Sequence, residues 1–268
     1  MELQGRFADI RRAGMGLAAI SYDPVATLAD FSQRRGITFP LLSDAGSAVI
    51  KEYGILNTTV SPANPQQLGI PFPGTFMVNR RGIVTSRFFE TAYQERDTIS
   101  SVMVRLGNPL DAPATKVSAP HLELTTFATD RTVAPGTHFS LVVEGVPGPR
   151  VHIYAPGVTG YKPIVLNIRP QPGLVIRAAQ FPKPDDYFFK PLNEHVPVYQ
   201  RRFRIVQDVM VDPSPAGIAA LKDAGTLTIE ATLDYQACDD RICFLPQSVP
   251  LTWAVALKPL DRERVKQH

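Results

Sequence analysis

Proline divides this 268-residue chain into two regions that cannot share an architecture. Six prolines lie in residues 1–107, and the remaining nineteen of the 25 lie beyond them. Proline removes a backbone donor and clashes with the preceding helical turn, so a segment this rich in it cannot hold long helices. The second region must therefore build from short strands and turns, while the first is free to use helices. The length is enough for two ordinary domains, each with a core of its own.

The first region alternates helical and extended patterns. Leu3, Phe7 and Ile10 fall on one helical face, and Gly16–Tyr22 is a short apolar run that predicts a buried strand. Asp23 and Pro24 open a helix with the stripe Val25, Leu28 and Phe31, and Gly36 ends it. Phe39–Leu42 reads as a brief strand, and Ser43 and Asp44 are placed to cap a helix running through Tyr53. Gly74–Val78 and Ile83–Phe88 form a hairpin around Asn79-Arg80-Arg81-Gly82, and Arg96–Leu106 is a last helix. This order is α/β.

Asn108–Pro120 holds three prolines among small residues and predicts an extended linker. Beyond it come eight β-like runs: His121–Phe127, His138–Glu144, Arg150–Tyr154, Ile164–Ile168, Leu174–Phe181, Val196–Val206, Thr226–Tyr235 and Val249–Leu257. Pro/Gly turns separate them, one short helix is expected at Pro215–Asp223, and residues 261–268 form a tail. Many short strands without long helices predict a β-sandwich over 121–260.

The 28 basic residues are nearly balanced by 25 acidic ones, for a net charge of +3, which is not the footprint of a nucleic-acid binder. No apolar run is long enough for a membrane helix. No leader-peptide pattern opens the chain, which at face value points to the cytoplasm. Glycine-rich phosphate loops and haem-attachment motifs are absent from the sequence.

Only two cysteines exist, Cys238 and Cys243. They lie in Tyr235-Gln236-Ala237-Cys238-Asp239-Asp240-Arg241-Ile242-Cys243-Phe244-Leu245-Pro246. Thr226–Tyr235 alternates apolar and polar residues, Val249–Leu257 returns, and the cysteines flank the intervening turn within disulfide range. Closing so short a loop stabilises by roughly 2 kcal/mol in the chain-entropy account, which a domain of this size does not need. A reversible dithiol explains the pair better than a static staple, and a structural disulfide in an exported protein is the alternative. A metal site would need further ligands, and His121, His138, His152 and His195 are scattered. Arg241 would favour a thiolate, while Asp239 and Asp240 would oppose one.

The segments ELQGRFADIRRAGMGLAAISYD, FPLLSDAGSAVIKEYGI and GIPFPGTFMVNRRGIV resemble, in order and spacing, the peroxiredoxin/redoxin (AhpC/TSA-like) branch of the thioredoxin fold. The resemblance covers most of residues 2–106. It implies a thioredoxin-like domain over 1–107 in which Pro73 is a cis-proline beside which an extended partner pairs. It also implies a redox cysteine at the start of the first helix, a position preceding Met1. The domain is therefore expected to lack its first strand and the start of its first helix, leaving two strand edges bare and one face of the core open. Residues 1–107 contain no cysteine.

In the second region, VHIYAPGVTGYKPIVLNI, FPKPDDYFFKPLNEHVPVYQRRFRI and YQACDDRICFLPQSVPLTW resemble the N-terminal periplasmic domain of the DsbD-type thiol–disulfide interchange proteins. That resemblance implies an immunoglobulin-like sandwich. In it Cys238 and Cys243 take electrons from a membrane-embedded or thioredoxin-like donor and pass them to client disulfides. It implies that Tyr235 packs beside the pair. It further implies that the loop Pro184–Pro191, with Asp186, Tyr187 and Phe188, caps the sulfurs. A capping aromatic such as Phe188 would exclude water, and ordinary core packing is the equal alternative for it. The cysteine spacing is one residue shorter than the DsbD pattern.

Together these readings predict an exported, periplasmic thiol–disulfide oxidoreductase or electron relay whose partners are thioredoxin-like or DsbD-like redox proteins. It would need no cofactor beyond its own disulfide. Two alternatives stand beside this one. One is a thiol peroxidase acting on a peroxide through a cysteine upstream of Met1. The other is a non-catalytic binding module with a structural disulfide.

Overall fold

The computed structural model describes residues 2–61, 63, 68–89, 96–189 and 193–258. The chain divides into two units, Met1–Asn108 and Pro109–His268. The first runs α1 (Glu2–Arg12), β1 (Ala19–Ser21), α2 (Val25–Arg35), β2 (Leu41–Ser43), α3 (Ala48–Glu52), β3 (Gly74–Val78), β4 (Val84–Phe89), β5 (Arg96–Asp97) and α4 (Ile99–Arg105).

Local chemistry explains where these elements start and stop. The Asp44 carboxylate accepts from the backbone N–H groups of Ala48, Val49 and Ile50 and so caps α3. Thr98 caps α4 by accepting from Ser101 N at 3.1 Å, so the helix begins at Ile99 rather than Arg96. Gly36 takes the left-handed conformation that ends α2. The N-cap position of α2 is Pro24, not Asp23, whose carboxylate instead accepts from Ser21 Oγ at 2.5 Å. Of the stripe expected on α2, Leu28 is buried while Val25 and Phe31 stay exposed. Asn79 Oδ1 accepts from the N–H groups of Arg81 and Ile83 and holds the β3–β4 turn.

Among the described residues, β1 pairs in parallel with β2, and β3 pairs antiparallel with β4. The two ribbons are not joined into one sheet. A cavity of about 520 Å³ is lined by both, with Ala19 and Ile20 of β1, Phe76 of β3, Ile50 and Val102 among its walls. The peptide bond before Pro73 is trans, because no described bond is cis. The cis geometry implied by the resemblance is therefore corrected. Pro73 sits just ahead of β3 and lines a second cavity of the same unit.

The second unit is largely β-sheet. Its strands are β6 (Thr115–Ala119), β7 (Leu122–Ala128), β8 (Thr132–Val133), β9 (Thr137–Pro147), β10 (His152–Tyr154), β11 (Val165–Ile168), β12 (Leu174–Gln180), β13 (Asp185–Phe189), β14 (Glu194–Tyr199), β15 (Phe203–Val211), β16 (Thr226–Tyr235), β17 (Ala237–Cys238) and β18 (Gln247–Leu257). One short helix, α5 (Pro215–Ala220), is capped by Ser214 Oγ accepting from Gly217 N. The larger sheet follows the order β12-β15-β9-β7-β6, and a second runs β11-β16-β18-β8. Phe139, Leu141, Ile205 and Val209 of the first face Ile229, Leu233, Leu251 and Trp253 of the second across one core. A third, small sheet runs β13-β14-β10-β17 and carries the cysteines' strand.

Two expectations change here. Thr115–Ala119, read as linker, forms β6 against β7, because its alternating residues can pair with the free edge of Leu122–Ala128. The run Val196–Val206 is two strands, not one. Chain direction is lost at Gln200–Arg202, and β14 and β15 enter different sheets while Tyr199 stacks on Phe203 at 4.8 Å. No described helix is long and apolar enough to cross a membrane.

Gly145 of β9 lies directly opposite Phe203. A Cβ there would come within 2.3 Å of the Phe203 ring, which Tyr199 holds from stacking distance. Gly145→Ala is expected to destabilise this unit by about 1–3 kcal/mol through overpacking. Trp253, the chain's one tryptophan and 4 % exposed, reports that loss in a urea titration. Phe203→Leu in the same background should restore part of it.

Candidate functional site

The site is built on a tight turn. Asp239 Oδ1 accepts from the backbone N–H groups of Arg241 at 2.7 Å and Ile242 at 2.8 Å, and Asp239 N donates to Ile242 O at 2.9 Å. Phe244 N donates to Ala237 O at 2.9 Å, and Gln236 Nε2 to Phe244 O at 3.1 Å. These bonds reverse the chain and bring Cys238 and Cys243 face to face, where they form a disulfide. The backbone donors of Ile242 and Arg241 hold the Asp239 carboxyl below its usual range, so it is ionised throughout the neutral region.

The two sulfurs are not equivalent. Cys238 is 1 % exposed, packed with Tyr154, Val196 and Val198, whereas Cys243 belongs to an exposed stretch of the turn. Strand β10 fixes the floor of the site. It pairs with β14 on one side and with β17 on the other, where His152 stands opposite Cys238. Tyr154 Oη lies 3.7 Å from Cys243 Sγ. The Tyr161 ring stacks on Tyr154 at 4.3 Å, and the Tyr161 hydroxyl donates to Glu194. Burial, chiefly, pushes the Tyr154 hydroxyl well above its ordinary value, so it stays protonated. Burial also pulls His152 below its ordinary value, partly offset by the charge of Asp239.

The other anticipated residues divide. Tyr187 of β13 packs against the Cys238 cluster, its ring 4.5 Å from that of His152. Strand alternation turns Asp186 and Phe188 to the opposite face. There Asp186 pairs with His195 at 2.9 Å, and Phe188 is 42 % exposed with its ring 4.9 Å from His195. The shielding aromatic is thus Tyr187, not Phe188, and the segment is a strand rather than a loop. Lys190 and Pro191 of the expected cap lie outside the described residues. Tyr235 does not reach the sulfurs. It is fully buried in the main core, its hydroxyl donates to Pro120 O at 2.6 Å, and burial pushes its pKa up to about 12. Tyr154 takes the place expected for it. Pro73 belongs to the other unit. His152, Tyr161 and Glu194 escaped the sequence reading, although VHIYAPGVTGY holds two of the three.

Comparison with known proteins bears on the first unit. Residues 1–87 match the AhpC/TSA family. The AhpC/TSA segment makes the first unit thioredoxin-like, as its motifs implied. Alkyl hydroperoxide reductase E from Mycobacterium bovis is 35 % identical over 91 residues, covering 33 % of this chain and 53 % of that protein. The Mycobacterium tuberculosis protein of the same name matches equally. The chain thus spans about half the length of the curated relatives it matches. The N-terminal periplasmic domain of ScsB from Proteus mirabilis aligns at 12 % identity and TM-score 0.37, over 53 % of this chain and 51 % of that one. The reduced N-terminal domain of DsbD from Neisseria meningitidis aligns at 14 % and 0.30, over 44 % of this chain and 78 % of that one.

His152 is expected to titrate below 6.5 in the oxidised protein, followed by NMR, and lower still in Asp239→Ala. A neutral buried imidazole contributes stability that is present above the unfolded value near 6.5 and is lost as pH falls through the lower folded value. Wild type should therefore lose more stability between pH 7 and pH 5 than His152→Phe in matched urea titrations.

Proposed function

We propose that this protein is a thiol–disulfide exchange protein that works through Cys238–Cys243, on an immunoglobulin-like sandwich, in an oxidising compartment such as the periplasm. The observation that carries this reading is the asymmetry of the pair: one sulfur is sealed under Tyr154 and Tyr187, and the other lies in an exposed turn. That asymmetry suits exchange, because a partner can then reach one sulfur and not the other.

In the forward direction a thiolate of a dithiol protein attacks Cys243 Sγ in line. The S–S bond breaks, Cys238 leaves as a thiolate, and a mixed disulfide forms on Cys243. The partner's second thiolate then attacks its own sulfur in that mixed disulfide and releases Cys243. The partner leaves oxidised, its two electrons remain on the Cys238–Cys243 pair, and two protons complete the thiols. Thioredoxin-like proteins are the class of partner this chemistry fits.

The AhpC/TSA segment supports a second reading, in which the final oxidant is a peroxide. Residues 1–107 hold no cysteine, so within this chain the electrons for such a step could come only from Cys238 and Cys243. The reduced pair would become a disulfide as the peroxide becomes an alcohol and water. Loss of thiols within minutes of adding micromolar hydrogen peroxide would support that step, and loss only over hours would remove it.

Equilibration with glutathione buffers tests the main reading. The pair is expected between about −120 and −270 mV, the range of exchange proteins, and a value below about −300 mV would make it structural. Cys238→Ser should trap a mixed disulfide with a reduced thioredoxin-like partner after mild oxidation, and Cys243→Ser should not.

A further inference from the structure

The most exposed large apolar side chains of the second unit stand on either side of Cys243. Among the described residues of that unit, Leu245 is 81 % exposed and Ile242 57 %, and no other large apolar side chain there exceeds 42 %. Cys243 itself lies exposed between them. Apolar side chains scattered singly over a surface are ordinary, whereas two gathered at one reacting atom mark a contact surface.

Neither residue is held loosely. Ile242 N donates to Asp239 Oδ1 at 2.8 Å, and Ile242 O accepts from Asp239 N at 2.9 Å. Leu245 follows Phe244, which is anchored three times over. The Phe244 ring stacks on that of His121 at 3.7 Å, its N–H donates to Ala237 O at 2.9 Å, and its carbonyl accepts from Gln236 Nε2 at 3.1 Å. Leu245 O accepts from Gln247 Nε2 at 2.9 Å. The backbone thus fixes both positions ahead of any encounter, so less order has to be gained when a partner covers them.

The chemistry decides what covers them. A partner's thiolate reaches Cys243 Sγ in line with the bond to Cys238, and so from the side away from the buried sulfur. Along the chain, Ile242 lies about 4 Å from Cys243 and Leu245 at most about 7 Å. A folded protein whose sulfur bonds to Cys243 therefore lays its own surface over these side chains. Charge offers that surface little, because Asp240 and Arg241 carry opposite signs within the turn and Asp239 is engaged with backbone. What the turn presents around its sulfur is apolar area.

We infer that Ile242 and Leu245 form an apolar collar by which Cys243 receives its partner, a dithiol protein whose reactive sulfur is itself surrounded by apolar surface. The inference rests on the exchange reading of the pair and adds its specificity, since the collar favours a protein dithiol over a small one. The electron balance is that of the exchange itself: the partner's two thiols become a disulfide, and Cys238–Cys243 becomes two thiols.

The test reduces the full chain in parallel with a reduced thioredoxin and with dithiothreitol, counting thiols by alkylation and mass. Leu245→Ser should lower the ratio of the two rate constants about tenfold and Ile242→Ser about fivefold, the loss expected when an anchoring apolar side chain leaves an interface. Leu245→Met, which keeps the apolar area, should retain the wild-type ratio. Raising salt from about 50 to about 500 mM should change the thioredoxin rate less than about threefold, because salt screens only the charged part of an encounter. A ratio that neither serine variant moves, or a thioredoxin rate that falls steeply with salt, would overturn the collar and leave the exchange reading, which the reduction potential tests, intact. Sedimentation as a dimer that Leu245→Ser dissolves would assign the surface to a second copy of this chain and overturn the collar likewise. A disulfide that neither dithiol reduces until the protein unfolds would overturn both readings.

Discussion

Three residues, His152-Ile153-Tyr154, hold the second unit's core and its sulfur site in fixed relation. As strand β10 they pair with β14 on one edge and with β17 on the other. Alternation sends Ile153 into the main core, where it is fully buried, and sends His152 and Tyr154 to the other face, where the disulfide lies. The position of the site is thus set by core packing. A slip of one residue in β10 would place a tyrosine or a histidine in the core and turn Ile153 to the disulfide face, so the hydrophobic demand at Ile153 fixes the register of the chemistry.

Much of this was legible in local pattern. The alternation of Thr226–Tyr235 predicted which residues of β16 face inward, and Leu227, Ile229, Ala231 and Leu233 are buried as that pattern requires. Asp44 and the Asn79–Gly82 turn were equally readable, because a cap or an Asx turn is decided within a few residues. What escaped was whatever depends on distant pairing. Tyr154 and Cys243 are 89 residues apart, and their contact arises only because β10 joins β17 in one small sheet. The DsbD-type resemblance implies Tyr235 beside the sulfurs, yet it closes the strand of the main core, and its hydroxyl donates to Pro120 O instead. The stretch Asp185–Phe189 defeated phase assignment for a different reason. Tyr187 and Phe188 are adjacent aromatics, either one a plausible shield, and only pairing with β14 decides that the tyrosine faces the cysteines.

The first unit shows the same division between local and non-local information. Its helices and turns form where capping and glycine chemistry place them, and residues 1–87 match the AhpC/TSA family. Among the described residues its two ribbons are not joined, and both line a cavity whose walls are largely apolar. Pairing across that space is non-local, and helix caps cannot set it, since each contributes about 1 kcal/mol and acts only on its own helix.

The cysteine turn shows how an exposed element can still be well defined. Its closure depends on one carboxylate, Asp239, that spends both of its short bonds on the N–H groups of Arg241 and Ile242. Because that charge is engaged with backbone at the solvent side of the turn, Cys238 can remain buried among Tyr154, Val196 and Val198 without an acidic neighbour entering the cluster. Burial without a charge partner disfavours a free thiolate at Cys238. The exposed partner sulfur carries no such penalty. In any exchange through this pair, the cost of forming charge therefore falls unequally on the two cysteines, and the aromatic packing around Cys238 sets that inequality.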